Sequence, residues 1–269
     1  MRLGADELKG LLDTLYRRYT KREFAYPDPV VFLYPFADPG DREVVGMIAS
    51  SLAYGRVQQI LNSVSSVLEP MGDSPRTFLE HTREEEMRAI FKGFKHRFTT
   101  GEELVELLSG MKQVIAEHGG LGEAFSRCFQ DGGDVVDAAC RFVEMLIPGC
   151  EKSSLLPNPR RGSACKRLFL FFRWMVRRDE VDPGGWMGLT PDLLLVPLDV
   201  HMHRVGRILG FTNRASGDLK TAREVTRGFA RLCPEDPVRY DFALTRFGIR
   251  EEMEMSEFVA MVERLGWRD

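Results

Sequence analysis

The chain has no stretch of about 18 consecutive apolar residues, so no membrane-spanning helix is expected. Its five cysteines (Cys128, Cys140, Cys150, Cys165 and Cys233) are scattered, and no CxxC pair occurs among them. No closely spaced set could therefore hold a zinc ion or an iron–sulfur cluster, and the cysteines read as small apolar residues of a reducing cell. The opening residues, Met1 to Glu7, lack the apolar core of a signal peptide, which makes the cytoplasm the expected compartment. Internal repeats, low-complexity tracts and linkers long enough to divide the chain are absent. A large charge imbalance is absent too. The formal net charge of -3 argues against a protein coated with nucleic acid, but not against a local basic groove.

What the chain does have is helical periodicity. Apolar residues recur at intervals of three and four along Leu8, Leu11, Leu12, Leu15, Tyr16 and Tyr19. The same spacing links Leu104, Leu107, Leu108, Met111, Val114 and Ile115, and Gly119-Gly120 predicts the end of that helix. A third stripe, Val135, Val136, Ala139, Phe142, Val143 and Leu146, stops at Pro148-Gly149. No segment sustains the period-two alternation of a half-buried strand, so the fold class is all-α. Tyr26-Pro27-Asp28-Pro29 closes an N-terminal helical region, and a long helix is expected from near Asp41. Pro157-Asn158-Pro159 and Pro183-Gly184-Gly185 mark later breaks. The 269 residues suffice for one large domain or for two modest lobes around a shared cleft.

Charge is unevenly spread. Between Leu155 and Arg178 the chain carries Arg160, Arg161, Lys166, Arg167, Arg173, Arg177 and Arg178, with no acid. Such a stretch reads either as a solvated helix face or as a surface that meets phosphates. Gly162 permits a tight turn that opens a helix, which would place Lys166 in the first helical turn ahead of Leu168, Phe169, Phe172 and Met175. Amides at a helix N-terminus attract phosphate, so a basic turn feeding a helix is suited to a nucleic-acid backbone. An ordinary lysine presents only about one neutral amine in a few thousand at neutral pH. Cationic neighbours and partial burial favour the neutral, nucleophilic form. Taken alone, Lys166 reads first as a surface lysine with no task.

Downstream, Pro197-Leu198 precedes Asp199, and a helix is expected from Val200 to Leu209 with Gly210 at its end. Asp199 then occupies the N-cap, where first-turn amides would hold it ionised. Taken alone, the segment reads first as a plain cap; a fixed carboxylate beside a sugar could also stabilise positive charge at the anomeric carbon. His201 and His203, two positions apart, point to different faces of a helix and make a poor metal pair. A phosphate contact by His201 is the better expectation. Phe171, Trp174, Trp186 and Phe211 are aromatics near these segments, and a core role is expected for each.

Together the two segments resemble the helix-hairpin-helix DNA glycosylases, the HhH-GPD or endonuclease III-like superfamily. Pro197-Leu198-Asp199-Val200-His201-Met202 is similar to the segment bearing the catalytic aspartate of 8-oxoguanine DNA glycosylases. Arg204-Val205 and Leu209-Gly210 fit the broader pattern, and Lys166 stands where the family has its Schiff-base lysine. The spacing from Lys166 to Asp199 looks most like the archaeal branch. The chain is also similar to a bacterial family of uncharacterised proteins associated with this superfamily. Weaker echoes run from Val44 to Leu52, at Gly93-Phe94-Lys95 and at Gly119-Gly120-Leu121, so the resemblance spans about residues 40 to 250. The sequence departs from the family where Leu156-Pro157-Asn158-Pro159-Arg160-Arg161-Gly162 replaces the usual Leu-Pro-Gly-x-Gly hairpin. The four-cysteine cluster of endonuclease III is missing as well.

The resemblance implies a two-lobed helical HhH-GPD-like fold with an interlobe cleft, formed as one unit over residues 1–269. Residues 41–180 would make a central lobe containing the hairpin-like segment 155–178. Residues 1–40 and 190–269 would make the second. The implied activity is base-excision repair by a bifunctional DNA glycosylase and AP lyase, on oxidised purines of the 8-oxoguanine kind. Lys166 and Asp199 would be catalytic; Arg160, Arg161, Gly162, Arg167 and His201 would hold DNA; no metal or other cofactor is implied. The partner would be double-stranded DNA with a damaged base, without a membrane or an obligate protein partner. Two other readings stand beside this one: a helical nucleic-acid-binding protein that keeps the scaffold without the chemistry, and a metal-dependent hydrolase built on His201 and His203.

Overall fold

The computed structural model describes residues 3–129, 133–149, 155–249 and 253–267. Its helices are α1 (Leu3–Tyr19), α2 (Pro39–Ser51), α3 (Val57–Leu68), α4 (Pro75–His81), α5 (Glu84–Ile90), α6 (Gly101–His118), α7 (Leu121–Cys128), α8 (Val135–Leu146), α9 (Lys166–Val176), α10 (Val200–Ile208), α11 (Leu219–Ala230), α12 (Asp241–Ile249) and α13 (Met255–Arg264). The protein is predominantly helical. The described β structure is a hairpin of two-residue strands, β1 (Lys95–His96) and β2 (Thr99–Thr100), plus an isolated bridge between Ser163 and Asp218. Strands that short carry no alternation, which is why periodicity could not announce them. Among the described residues, no helix is long and apolar enough to cross a membrane.

The expected stripes face inward. Leu8, Leu12 and Leu15 of α1, Leu104, Leu108, Met111 and Ile115 of α6, and Val136, Ala139, Phe142 and Val143 of α8 are all buried. Local chemistry sets the helix ends. Asp38 accepts from Gly40 N at 2.8 Å and from Asp41 N at 3.0 Å, with Pro39 at the first helical position of α2. Thr100 and Glu103 form a capping box at the start of α6, and Gly119, with φ of 92°, ends it in the left-handed region.

Two groups of helices follow from the packing. Helices α2 to α8 pack with one another and with α9; α1, α10, α11, α12 and α13 pack among themselves. Helix α9 is the axial element, buried on every side through Leu168, Phe169, Phe171, Phe172, Trp174 and Met175. Phe172 stacks on Phe125 at 4.1 Å, and Phe171 meets Trp186 edge-on. Gly46 lets α2 lie close to α9, since a Cβ there would come within 3.2 Å of the Phe171 ring. Phe171, Trp174, Trp186 and Phe211 are core residues, as their surroundings in the sequence predict. Four of the cysteines, Cys128, Cys140, Cys165 and Cys233, are buried free thiols; Cys150 lies outside the described residues.

One feature of the basic stretch is overturned. Arg173 and Arg177 are neither a solvated face nor a phosphate-facing surface; they are 2 % and 4 % exposed. Arg173 donates through Nε and Nη2 to one oxygen of the fully buried Asp182, at 3.2 and 3.0 Å, and through Nη1 to Asp241. Arg177 pairs with the other Asp182 oxygen and with Asp179 and Asp236. All four acids lie outside the stretch, so a count confined to residues 155–178 could not see them. Buried charges demand such partners, because an isolated ion away from water is prohibitively costly.

Candidate active site

Lys166 and Asp199 converge. Lys166 Nζ lies 3.8 Å from Asp199 Oδ2, and the two side chains keep 33 % and 21 % of their surface open to solvent. They belong to different helix groups, and Lys166 opens α9 in its first turn. The residue before it, Cys165, sits at φ 43°, ψ 44°, a left-handed conformation rare for a side chain with a Cβ and costly by roughly 1 kcal/mol. That turn swings the chain from the 3-10 segment at Pro159–Arg161 into α9, and so sets where Lys166 projects. Burial pushes the Cys165 thiol up to about 11, so it is not a competing nucleophile near neutral pH.

The turn upstream is built differently from a glycine hairpin. Asn158 accepts from Arg160 N at 2.9 Å and starts a 3-10 turn; Gly162, at φ 81°, closes it with its N–H on Pro159 O at 2.8 Å. Gly162 O in turn accepts from Leu219 N at 2.9 Å, which ties the turn to the start of α11. Gly162 thus makes the tight turn its sequence predicts, but Ser163, Ala164 and Cys165 intervene before α9 begins.

Asp199 is the N-cap of α10. Its Oδ1 accepts from His201 N and Met202 N, both at 2.9 Å, which leaves Oδ2 turned to Lys166. One oxygen fixes the carboxylate and the other faces the amine. The approach to it, Leu194 to Leu198, runs through the core, so Asp199 is placed by buried neighbours on both sides, Leu198 before it and Met202 after.

The residues expected to hold phosphate divide. Arg160 and Arg161 are exposed on the turn beside Lys166. Arg167 turns inward: Nη1 donates to Ser51 O, and the guanidinium lies 4.7 Å over the Tyr54 ring. Its guanidinium is engaged by that carbonyl and that ring, whereas Arg160 and Arg161 are exposed on the turn. His201 is half-buried against Gly248, where an added Cβ would come within 2.0 Å of its Nδ1. His203 points elsewhere, with Nε2 at 2.9 Å from Arg214 O. Among the described residues, no group of three or more His, Cys, Asp or Glu is arranged to hold a metal ion.

Sequence reasoning missed one member of this neighbourhood. Asp241, the first residue of α12, is 4 % exposed and shares its surroundings electrostatically with Lys166 and Asp199. Burial pushes its carboxyl up to about 6, with Asp199 pushing the same way and Arg173 and Lys166 opposing. The available signal was an acid between Tyr240 and Phe242, at helical spacing from Leu244, Thr245 and Gly248. A hollow of about 510 Å³, lined by Glu43, Arg76, Glu123, Arg127 and Trp186 among others, lies at the opposite end of α9, where Trp186 N donates to Met175 O. Its buried carboxylate, Glu43, is used structurally: it accepts from Leu121 N, Gly122 N and Trp186 Nε1 at 2.8, 3.0 and 2.9 Å.

No curated protein and no solved structure matches this chain. A family model described as "Protein of unknown function (DUF2400)" matches residues 28–250, from the segment before α2 to the end of α12, and so takes in both Lys166 and Asp199. The chain belongs to the DUF2400 family.

Proposed function

We propose that this protein is a base-excision DNA glycosylase with AP lyase activity, acting on an oxidised purine of the 8-oxoguanine kind. The observation that carries the reading is the 3.8 Å approach of Lys166 Nζ to Asp199 Oδ2 from separate elements. An amine nucleophile and a fixed anion that serve one sugar carbon must lie this close, and a separation beyond about 10 Å would have spoken against it. The two groups of helices then read as the two lobes of an HhH-GPD-like fold, with DNA across the cleft and the damaged nucleotide flipped into it. Arg160, Arg161 and His201 would grip phosphates.

In this chemistry, neutral Lys166 bonds to C1′ as the bond from C1′ to the base breaks and the base leaves. Asp199 Oδ2 stabilises the positive charge that develops on the sugar and draws the proton from the attached nitrogen. Ring opening gives a Schiff base between Lys166 and C1′. Loss of a C2′ proton then expels the 3′ phosphate, nicking the strand by β-elimination. Asp199 is suited to its part because two backbone N–H groups hold one oxygen while the other stays on the amine.

Incubation with a panel of damaged duplexes under borohydride tests the proposal. A covalent adduct on one of them is expected, and Lys166→Gln should abolish trapping on abasic DNA; trapping that persists in this variant would exclude Lys166 as the nucleophile. One observation favours the second reading, a nucleic-acid-binding protein without chemistry: a 3-10 turn replaces the glycine hairpin. That reading predicts duplex binding with no adduct on any substrate.

A further inference from the structure

Phe98 is 60 % exposed at the tip of the β1–β2 hairpin, yet the hairpin beneath it is firmly held. The Tyr54 hydroxyl joins its two strands, donating to His96 O at 2.9 Å and sharing a hydrogen bond with Thr99 Oγ1 at 2.6 Å. His96 is fully buried, with Nδ1 2.8 Å from Ser63 Oγ and Nε2 3.0 Å from Tyr54 O. Arg97 takes the turn at φ 56°, a left-handed position that two-residue hairpin turns usually give to glycine, asparagine or aspartate. Gly55 makes room for it, since a Cβ there would come within 2.8 Å of Arg97 Cδ.

A stack of flat groups results, and it ends in water. The Arg167 guanidinium lies over the Tyr54 ring. Phe98 stacks on that same ring, with centroids 5.1 Å and planes 26° apart. The Arg97 guanidinium lies 5.9 Å from the Phe98 centroid. Arg167 directly follows Lys166 in the first turn of α9, so the stack begins on the element that carries the candidate nucleophile. A lone exposed phenylalanine needs no explanation. This one is clamped, backed by a second ring and set among cations. Residues 53–59 and 92–100 contribute exposed Arg56, Lys92, Lys95 and Arg97 and no acid, in a chain whose formal net charge is -3.

We propose that Phe98 is the outer end of a stacking site for one unpaired nucleobase, with Arg56, Lys95 and Arg97 meeting the phosphates that flank it, a role that rests on reading the protein as one that handles DNA. Aromatic rings set beside arginine and lysine suit single-stranded nucleic acid, because every base offers a π face and every linkage a negative charge. A base inside a duplex is covered on both faces by its neighbours. Only one that has lost its place in the pairing can continue the Arg167–Tyr54–Phe98 stack.

The test compares two duplexes of equal length at one salt concentration, one fully paired and one carrying a single bulged 2-aminopurine. The wild type should bind the bulged duplex more tightly and quench its fluorescence. Phe98→Ala should weaken binding to the bulged duplex about fivefold to hundredfold, the worth of one base–aromatic stack, and abolish the quench, while the paired duplex changes by less than about twofold. Phe98→Trp should keep both the affinity and the quench. A wild type that binds neither duplex, or both equally well, would overturn the proposal and leave this basic face to a protein partner. So would a folded Phe98→Ala variant that binds the bulge as the wild type does, or one that loses both duplexes equally. Neither duplex holds a lesion and no bond is broken, so failure here leaves the chemistry of Lys166 standing, and an absent borohydride adduct leaves the stack standing.

Discussion

At the scale of single residues, Asp199 carries two separable jobs. Asparagine can still accept from His201 N and Met202 N, so Asp199→Asn should preserve the cap while removing the charge facing Lys166. On the proposed chemistry, single-turnover excision should slow by about 100- to 10,000-fold with duplex affinity largely intact. An equal loss of affinity would reveal a structural cap and nothing more. Asp199→Ala should add about 1 kcal/mol of destabilisation from the lost cap, measurable by urea unfolding. Cys165 gives a second check. With its thiol pushed up to about 11, only about one in a thousand is ionised at pH 8. Native protein should therefore resist iodoacetamide at Cys165 while unfolded protein reacts; fast native alkylation would mean the left-handed turn is not closed over the thiol.

At the scale of elements, α9 is where local reading and packing part company. Its apolar residues and its start at Lys166 follow from local pattern. Which of its arginines face water does not, because the acids that claim Arg173 and Arg177 come from residues 179–182, 236 and 241. Asp182→Ala removes the carboxylate shared by both guanidinium groups. It should destabilise the protein by about 3–5 kcal/mol, since two buried cations lose a partner at once. A loss below about 1 kcal/mol in thermal or chemical unfolding would show that water reaches the network. The contact of α10 with α12 depends on Gly248, whose missing side chain makes room for His201. Gly248→Ala should push the His201 ring aside. The expected result is a histidine chemical-shift change and, on the proposed function, weaker duplex binding; a protein that binds DNA normally despite the displaced ring would remove His201 from the proposed phosphate contacts.

At the scale of the whole molecule, the buried acids shape the dependence of stability on pH. Asp241 is raised in the folded protein to about 6, whereas an unfolded aspartate titrates near 4. Between those values the folded state binds more protons, so the stability Asp241 contributes is complete below about 4 and is lost as pH rises through 6. Unfolding free energy should therefore decline across this window more steeply in the wild type than in Asp241→Asn; parallel curves would mean that Asp241 ionises freely in the fold. Asp218, held low by Thr221 N, Ser216 and Arg214, acts in the opposite sense and loses its contribution only on strong acidification.

Helical class, the α6 and α8 stripes, the cap at Asp199 and the first-turn position of Lys166 were all determined by the sequence itself. Each depends on residues within one or two turns of each other, where spacing and capping chemistry act directly. The 3.8 Å meeting of Lys166 with Asp199, the inward turn of Arg167, the burial of Arg173 and Arg177, and the pairing of Asp241 with Arg173 were decided only by tertiary structure. They arise between segments far apart in the chain, because a charge is worth burying only where folding delivers an opposite charge to meet it.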